Sequence, residues 1–218
     1  MDSTELRLLS VQVGRPRTRD WQGEAWTTAI FKEPVHARVF LDSKNLEGDE
    51  QANKKHHGGK DKAVCCFPVE HYAFWREELG LGAAFAYGAF GENFTLAGMP
   101  EDRVCIGDIY AVGTARVQVC QPRMPCINLA RKWNCETMPK RMEQLGHSGY
   151  YLRVLQTGEV GAGDTLTLLE RPQPDITIAF VNDALFRKAG GRERDTLLAS
   201  LPELSRDCRW IFQRRLFK

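Results

Sequence analysis

The chain has 218 residues, with 30 lysines and arginines against 28 aspartates and glutamates and a formal net charge of +2. At about 150 residues per domain this is one to two domains, enough to bury a core without disulfide staples. The near-balance of charge gives no support to a nucleic-acid binder, and 43% hydrophobic with 27% charged residues exclude wholesale disorder.

In chain order, Arg7–Val13, Thr27–Phe31 and Ala37–Leu41 are short apolar or β-branched runs that predict strands. Glu47-Gly48-Asp49-Glu50-Gln51 is an acidic turn. His56-His57-Gly58-Gly59-Lys60-Asp61-Lys62 follows, where the glycine pair lets backbone approach a ligand and His57 and Lys62 supply charge or hydrogen bonds beside it. Cys65 and Cys66 are adjacent, so on a strand their side chains point to opposite faces. Pro68 suits a first helical turn, Tyr72, Trp75 and Leu79 recur at helical spacing, and Gly80 suits the cap. The charge-free run Gly80–Gly91 is too short and glycine-rich to span a bilayer. Phe90-Gly91-Glu92-Asn93-Phe94 places a carboxylate and an amide at a glycine turn, a pattern that ordinary turns share.

Two segments, Val104–Tyr110 and Val160–Leu166, carry apolar residues, a Gly-Asp turn and more strand, a weak echo of barrel or sandwich construction. In Ala115–Cys120, Val117 and Val119 face one side and Arg116, Gln118 and Cys120 the other. Met138, Met142 and Leu145 form a short helical stripe ending at Gly146, of the kind that packs a core. Arg153 is a strand cation among apolar residues, equally suited to a solvated edge. At Arg171-Pro172-Gln173-Pro174 the texture changes to a stiff connector. Residues 175–218 then show three amphipathic helices with nine basic and six acidic residues. No helix gathers its arginines on one face with base-reading Asn or Gln, so an appended three-helix segment is expected rather than a DNA-binding one.

The most informative stretch is Gln121-Pro122-Arg123-Met124-Pro125-Cys126. Two prolines stiffen the loop around Arg123, and Pro125 is placed to open a helix with Cys126 in its first turn. There, free N–H groups and the helix dipole favour a thiolate, and Arg123 acts in the same direction. Such a thiolate suits a soft metal ligand or a sulfur nucleophile, although a buried cysteine is often only a small core residue. The seven cysteines are odd in number and contain no Cys-x-x-Cys pair, and Met1–Glu5 lacks a signal-like start. A cytoplasmic protein with free thiols and no membrane association is therefore expected.

Taken together, these motifs resemble the MOSC domain proteins (named for the C-terminal domain of molybdenum cofactor sulfurase), and closely their YiiM branch. The resemblance runs from about Leu6 to the C-terminus and rests on Glu47–Gln51, His57-Gly58-Gly59-x-Asp61-Lys62-Ala63, Phe90–Asn93, Gly107-Asp108, Gln121-Pro122-Arg123-x-Pro125-Cys126 and Arg153. It implies a mainly β, barrel-like domain with short helices over residues 1–171, followed by a small all-α segment over 175–218. It further implies that the pterin-based molybdenum cofactor is bound with Cys126 as metal ligand, and that N-hydroxylated compounds, purines and amidoximes among them, are reduced. Within that frame Gly58, Gly59, Lys62, Asn93, Gln121, Arg123 and Arg153 are candidates to hold the cofactor, and His57 and Glu92 to deliver protons beside Cys126. Electrons would come from a separate donor protein, since the chain has no Rossmann, flavin or iron–sulfur motif. The alternative is non-redox cofactor binding, or sulfur carried as a persulfide on Cys126. Pyridoxal phosphate is not expected, because the domain that uses it in the sulfurases is absent.

Overall fold

A computed structural model describes residues 5–217 and, among them, twelve strands. These are β1 (Arg7–Val13), β2 (Arg17–Trp21), β3 (Glu24–Thr28), β4 (Glu33–Val35), β5 (Val39–Leu41), β6 (Val64–Pro68), β7 (Phe94–Ala97), β8 (Ile109–Val112), β9 (Ala115–Pro122), β10 (Tyr150–Gln156), β11 (Gly158–Val160) and β12 (Leu166–Glu170). The helices are α1 (Lys54–His57), α2 (Tyr72–Glu78), α3 (Ile127–Trp133), α4 (Met138–Leu145), α5 (Ile178–Arg187), α6 (Gly191–Ser200) and α7 (Arg206–Leu216). Eight strands form one sheet in the order β12-β8-β9-β10-β6-β7-β1-β4. Hydrogen bonds from Leu8 N to Asp164 O (2.9 Å), Gly163 N to Leu8 O (2.7 Å) and Leu166 N to Leu6 O (2.8 Å) tie the start of β12 back to β1. The sheet therefore curls on itself and is barrel-like, as expected.

The predicted strands at Arg7–Val13 and Ala115–Cys120 form as β1 and β9. The run at Thr27–Phe31 is displaced: the strand is Glu24–Thr28, paired with β2 in a separate two-stranded ribbon. On β9, Val117 and Val119 are fully buried as the alternation requires. Cys120, expected on the outer face, is fully buried too, because Asp61 and the C-terminal segment cover that face. The two Gly-Asp turns share a geometry: Asp108 Oδ2 accepts from Cys105 N and Asp164 Oδ2 from Gly161 N, each at 2.9 Å and three residues back. Each aspartate also holds an arginine, Arg171 on Asp108 and Arg38 on Asp164.

The stripes of α2 and α4 pack as core. Tyr72, Trp75, Met138 and Met142 bury against Phe67 and Phe90 in a cluster of their own. The main core is continuous between the sheet and the tail: Leu8, Val117 and Leu152 share it with Ile178, Val181, Leu198 and Phe212. The helical segment beyond residue 175 is thus docked on the barrel by shared apolar burial.

Candidate cofactor site

A cavity of about 670 Å³, counted to its open mouth, lies where β6, the end of α1, the start of α3, the β2–β3 ribbon and the 49–53 loop meet. Cys126, Arg123, His57, Lys62 and Asn93 line it, so five of the candidates fall together although 69 residues separate the first from the last. Cys126 is the residue before α3, in extended backbone (φ −129°, ψ 168°), not in the helix's first turn. Pro125 closes the loop and the helix begins at Ile127. The sulfur is free and half-buried.

Arg123 is 6% exposed. Its backbone N–H binds Gly149 O (2.9 Å) and its Nη2 donates to Phe90 O (2.7 Å), while Nη1 has no partner among the described residues. Burial works against its charge, but its surroundings, the buried Glu92 carboxylate among them, raise its pKa on balance, so it stays cationic. A buried cation with an unused N–H beside a cavity is able to hold an anionic group. His57 ends α1, and its pKa is lowered, first by burial and then by Arg123, Lys62 and His56. It is therefore neutral at physiological pH. Lys62 Nζ is 2.9 Å from Asp207 of α7, with its side chain only 11% exposed.

Asn93 is used up structurally: Oδ1 accepts from Cys65 N (3.1 Å), and Nδ2 donates to Gln12 O (3.2 Å) and Asp49 Oδ2 (2.9 Å). It shapes the cavity wall and has little left for a pterin edge.

The other candidates lie off the wall. Gly58 and Gly59 shape the approach instead. A side chain on Gly58 would meet Lys54 O at 2.8 Å, and Gly59 has φ +104°, a region that favours glycine. Gln121 is buried with its Oε1 taken by Ser205 Oγ of the tail. Arg153 is paired with Asp61 at 2.9 Å. Glu92, expected to deliver protons, is fully buried and accepts from Tyr72 Oη, Gly88 N, Phe90 N and Thr95 Oγ1. A carboxylate so occupied anchors the turn before β7; it is not on the cavity wall.

Asp49, Lys32, Cys65 and Asn128 are among the lining residues that carried no assignment from sequence. Asp49, inside the acidic motif, is 3% exposed and holds Lys32, Gly14 N and Asn93. Lys32 lies in no motif. Cys65 faces the cavity while Cys66 joins the main core, the opposite-face arrangement expected of neighbours on a strand. Asn128 follows Cys126 by two residues, which was the available signal for it.

Among the described residues no three His, Cys, Asp or Glu side chains cluster to cage a bare metal ion. Of the two cysteines on the wall, Cys65 is buried and burial raises its pKa, while Cys126 is the more exposed soft donor; one such donor fits a metal that arrives already chelated by an organic cofactor. The unpartnered Nη1 of Arg123 fits an anionic group on the same cofactor.

Residues 53–167 match the model of the MOSC domain, and the chain belongs to that family. Within the family it stands in the YiiM branch. It is 40% identical to protein YiiM of Escherichia coli over 156 residues, which are 71% of this chain and 69% of that protein. It is also 40% identical to the uncharacterised protein YflK of Bacillus subtilis, covering 99% of this chain and 96% of that one. The crystal structure of YiiM from Geobacillus stearothermophilus matches with a TM-score of 0.81 and 40% identity, over 97% of this chain and 99% of the other. A protein named "Reductase" from Gibberella moniliformis is 38% identical over 78% of this chain, which spans only 30% of that longer protein.

Proposed function

We propose that this protein binds the pterin-based molybdenum cofactor in the Cys126 cavity and reduces N-hydroxylated compounds to the parent amine, amidine or base. The observation that carries it is one cavity holding a free thiol, Cys126, and a buried guanidinium with an unused N–H, Arg123. The likeness to a relative named "Reductase" supports the redox class. When bound, the cofactor supplies two-electron chemistry at its metal. Overall, R–NH–OH takes up two electrons and two protons and gives R–NH2 and water.

Cys126 would ligate the metal, and Arg123 would bind the cofactor's anionic group with Lys62 adding charge beside it. Lys32 is neutralised by Asp49 and contributes position rather than net charge. His57, held neutral at the cavity wall, would pass protons inward rather than store one. Electrons would come from a separate donor protein.

The test is protein made in a host competent for cofactor synthesis, assayed for molybdenum and for turnover of an N-hydroxylated purine and an amidoxime with a chemical reductant. Stoichiometric metal and turnover are expected in the natural protein. Cys126→Ala should be folded and inactive. Undiminished turnover by Cys126→Ala, or none by the natural protein, sinks the proposal.

A further inference from the structure

The β2–β3 ribbon is a sheet of its own, so side chains must fix it to the rest of the molecule. Trp26, 6% exposed, does this in several ways. It packs edge-on against Phe31 with ring centroids 5.8 Å apart, lies under Arg131 of α3, and donates from Nε1 to Asn128 Oδ1 at 3.0 Å across 102 residues of sequence. Arg131 sits at the same time over Trp21, at 4.5 Å from its ring. The ribbon and the start of α3 are thereby locked together, and Thr27 and Thr28 of the ribbon line the cavity with Cys126 and Asn128.

The chemistry of that hydrogen bond sets the direction of the amide. An indole N–H can only donate, so Asn128 must turn its oxygen to Trp26 and its Nδ2 away from it. Nδ2 has no partner among the described residues, and Asn128 lines the cavity two residues after Cys126. The charged groups of the cavity are Arg123, Lys62 and the Lys32–Asp49 pair. Asn128 is a neutral donor beside the uncharged wall formed by the ribbon.

We infer that Asn128 orients the substrate: its Nδ2 donates to a hydrogen-bond acceptor next to the N–OH group, and Trp26 is the positioning residue that holds the amide in that sense. The inference rests on the reductase reading and assigns it a substrate-orienting residue. Through Asn128, an N-hydroxylated compound with an acceptor atom next to its N–OH group should bind more tightly than one without.

The experiment compares cofactor-loaded natural protein with Asn128→Asp, Asn128→Ala and Trp26→Phe. Two probes are used with a chemical reductant: an N-hydroxylated adenine, and a benzyl hydroxylamine that lacks a ring acceptor. Asn128→Asp keeps the bond from Trp26 but faces the substrate's acceptor with another acceptor. It should raise KM for the adenine about tenfold to a hundredfold, with kcat changed less. KM for the benzyl compound, molybdenum content and melting temperature should stay at natural values. Trp26→Phe should raise KM for the adenine about twofold to fivefold by letting the amide turn, and should add nothing in the Asn128→Ala background. A loss of molybdenum in Asn128→Asp, or an equal effect on both probes, overturns this inference alone. A natural protein that turns over neither probe overturns the reductase reading and this inference with it.

Discussion

Glu92 shows how a residue type can suggest chemistry that its surroundings forbid. Its two oxygens accept from Gly88 N (2.8 Å), Phe90 N (3.0 Å), Thr95 Oγ1 (2.9 Å) and the Tyr72 hydroxyl. Burial and this carboxylate raise the pKa of Tyr72, so the phenol remains a neutral donor. The arrangement fixes the turn on which Phe90 O receives Arg123. Glu92→Ala would strand several buried donors, and a stability loss on the order of 3 kcal/mol is expected in urea unfolding. Turnover per folded, loaded molecule should stay near the natural value. A large loss of kcat at natural stability would restore Glu92 as a proton donor.

Among the elements, α2 and the turn between α4 and β10 meet at two imidazoles. His71 Nε2 lies 2.6 Å from Glu101 Oε2, and its ring stacks on His147 at 3.8 Å. His147 Nδ1 is buried without a partner. Its pKa is lowered to about 4, first by burial and then by His71 and Arg141, with Glu101 opposing. A base whose folded pKa is depressed costs nothing while both states are neutral, above about pH 6.5. As the pH falls towards 4 the unfolded chain takes up a proton that the folded one refuses, so stability is lost across that window. Allowing for the ring's partial exposure, about 1–2 kcal/mol is at stake. His147→Phe keeps the stacking and removes the titration, so its melting temperature should exceed the natural one at pH 5 and match it at pH 7.5; equal pH profiles would refute this. None of this pairing was legible in the sequence, because His71 precedes α2 and His147 follows α4, with no shared motif. What was legible is what local rules decide: β1 and β9 from alternation, the stripes of α2 and α4, and the Cys126 loop from its prolines. Motif order brought Cys126, Arg123, His57, Lys62 and Asn93 to one cavity. It did not separate wall residues from the ones behind them, since that depends on packing between distant strands. Gln121 and Arg153 lie behind the wall for that reason.

At the scale of the whole molecule, the tail is bound to the same residues that frame the site. Ser205 N donates to Cys120 O (2.8 Å), Ser205 Oγ meets Gln121, Arg206 N reaches Asp61 Oδ2 (3.4 Å), and Asp207 holds Lys62. Asp61 in turn pairs with Arg153. Several motif residues therefore serve the joint between barrel and tail, with Lys62 serving both joint and cavity. Beneath these contacts Phe212 and Leu198 are fully buried in the core that also contains Val117 and Leu152. A shared core predicts a shared unfolding transition, because the tail cannot leave without exposing the barrel's apolar face. Phe212→Ala removes a buried ring and should cost about 3–5 kcal/mol. Hydrogen exchange should report that loss equally at amides of β9 and of α7. A protein ending at residue 174 should fail to fold, or should aggregate. Were β9 to keep its protection while α7 lost its own, the tail would be a separate domain and Lys62 would owe its position to the barrel alone.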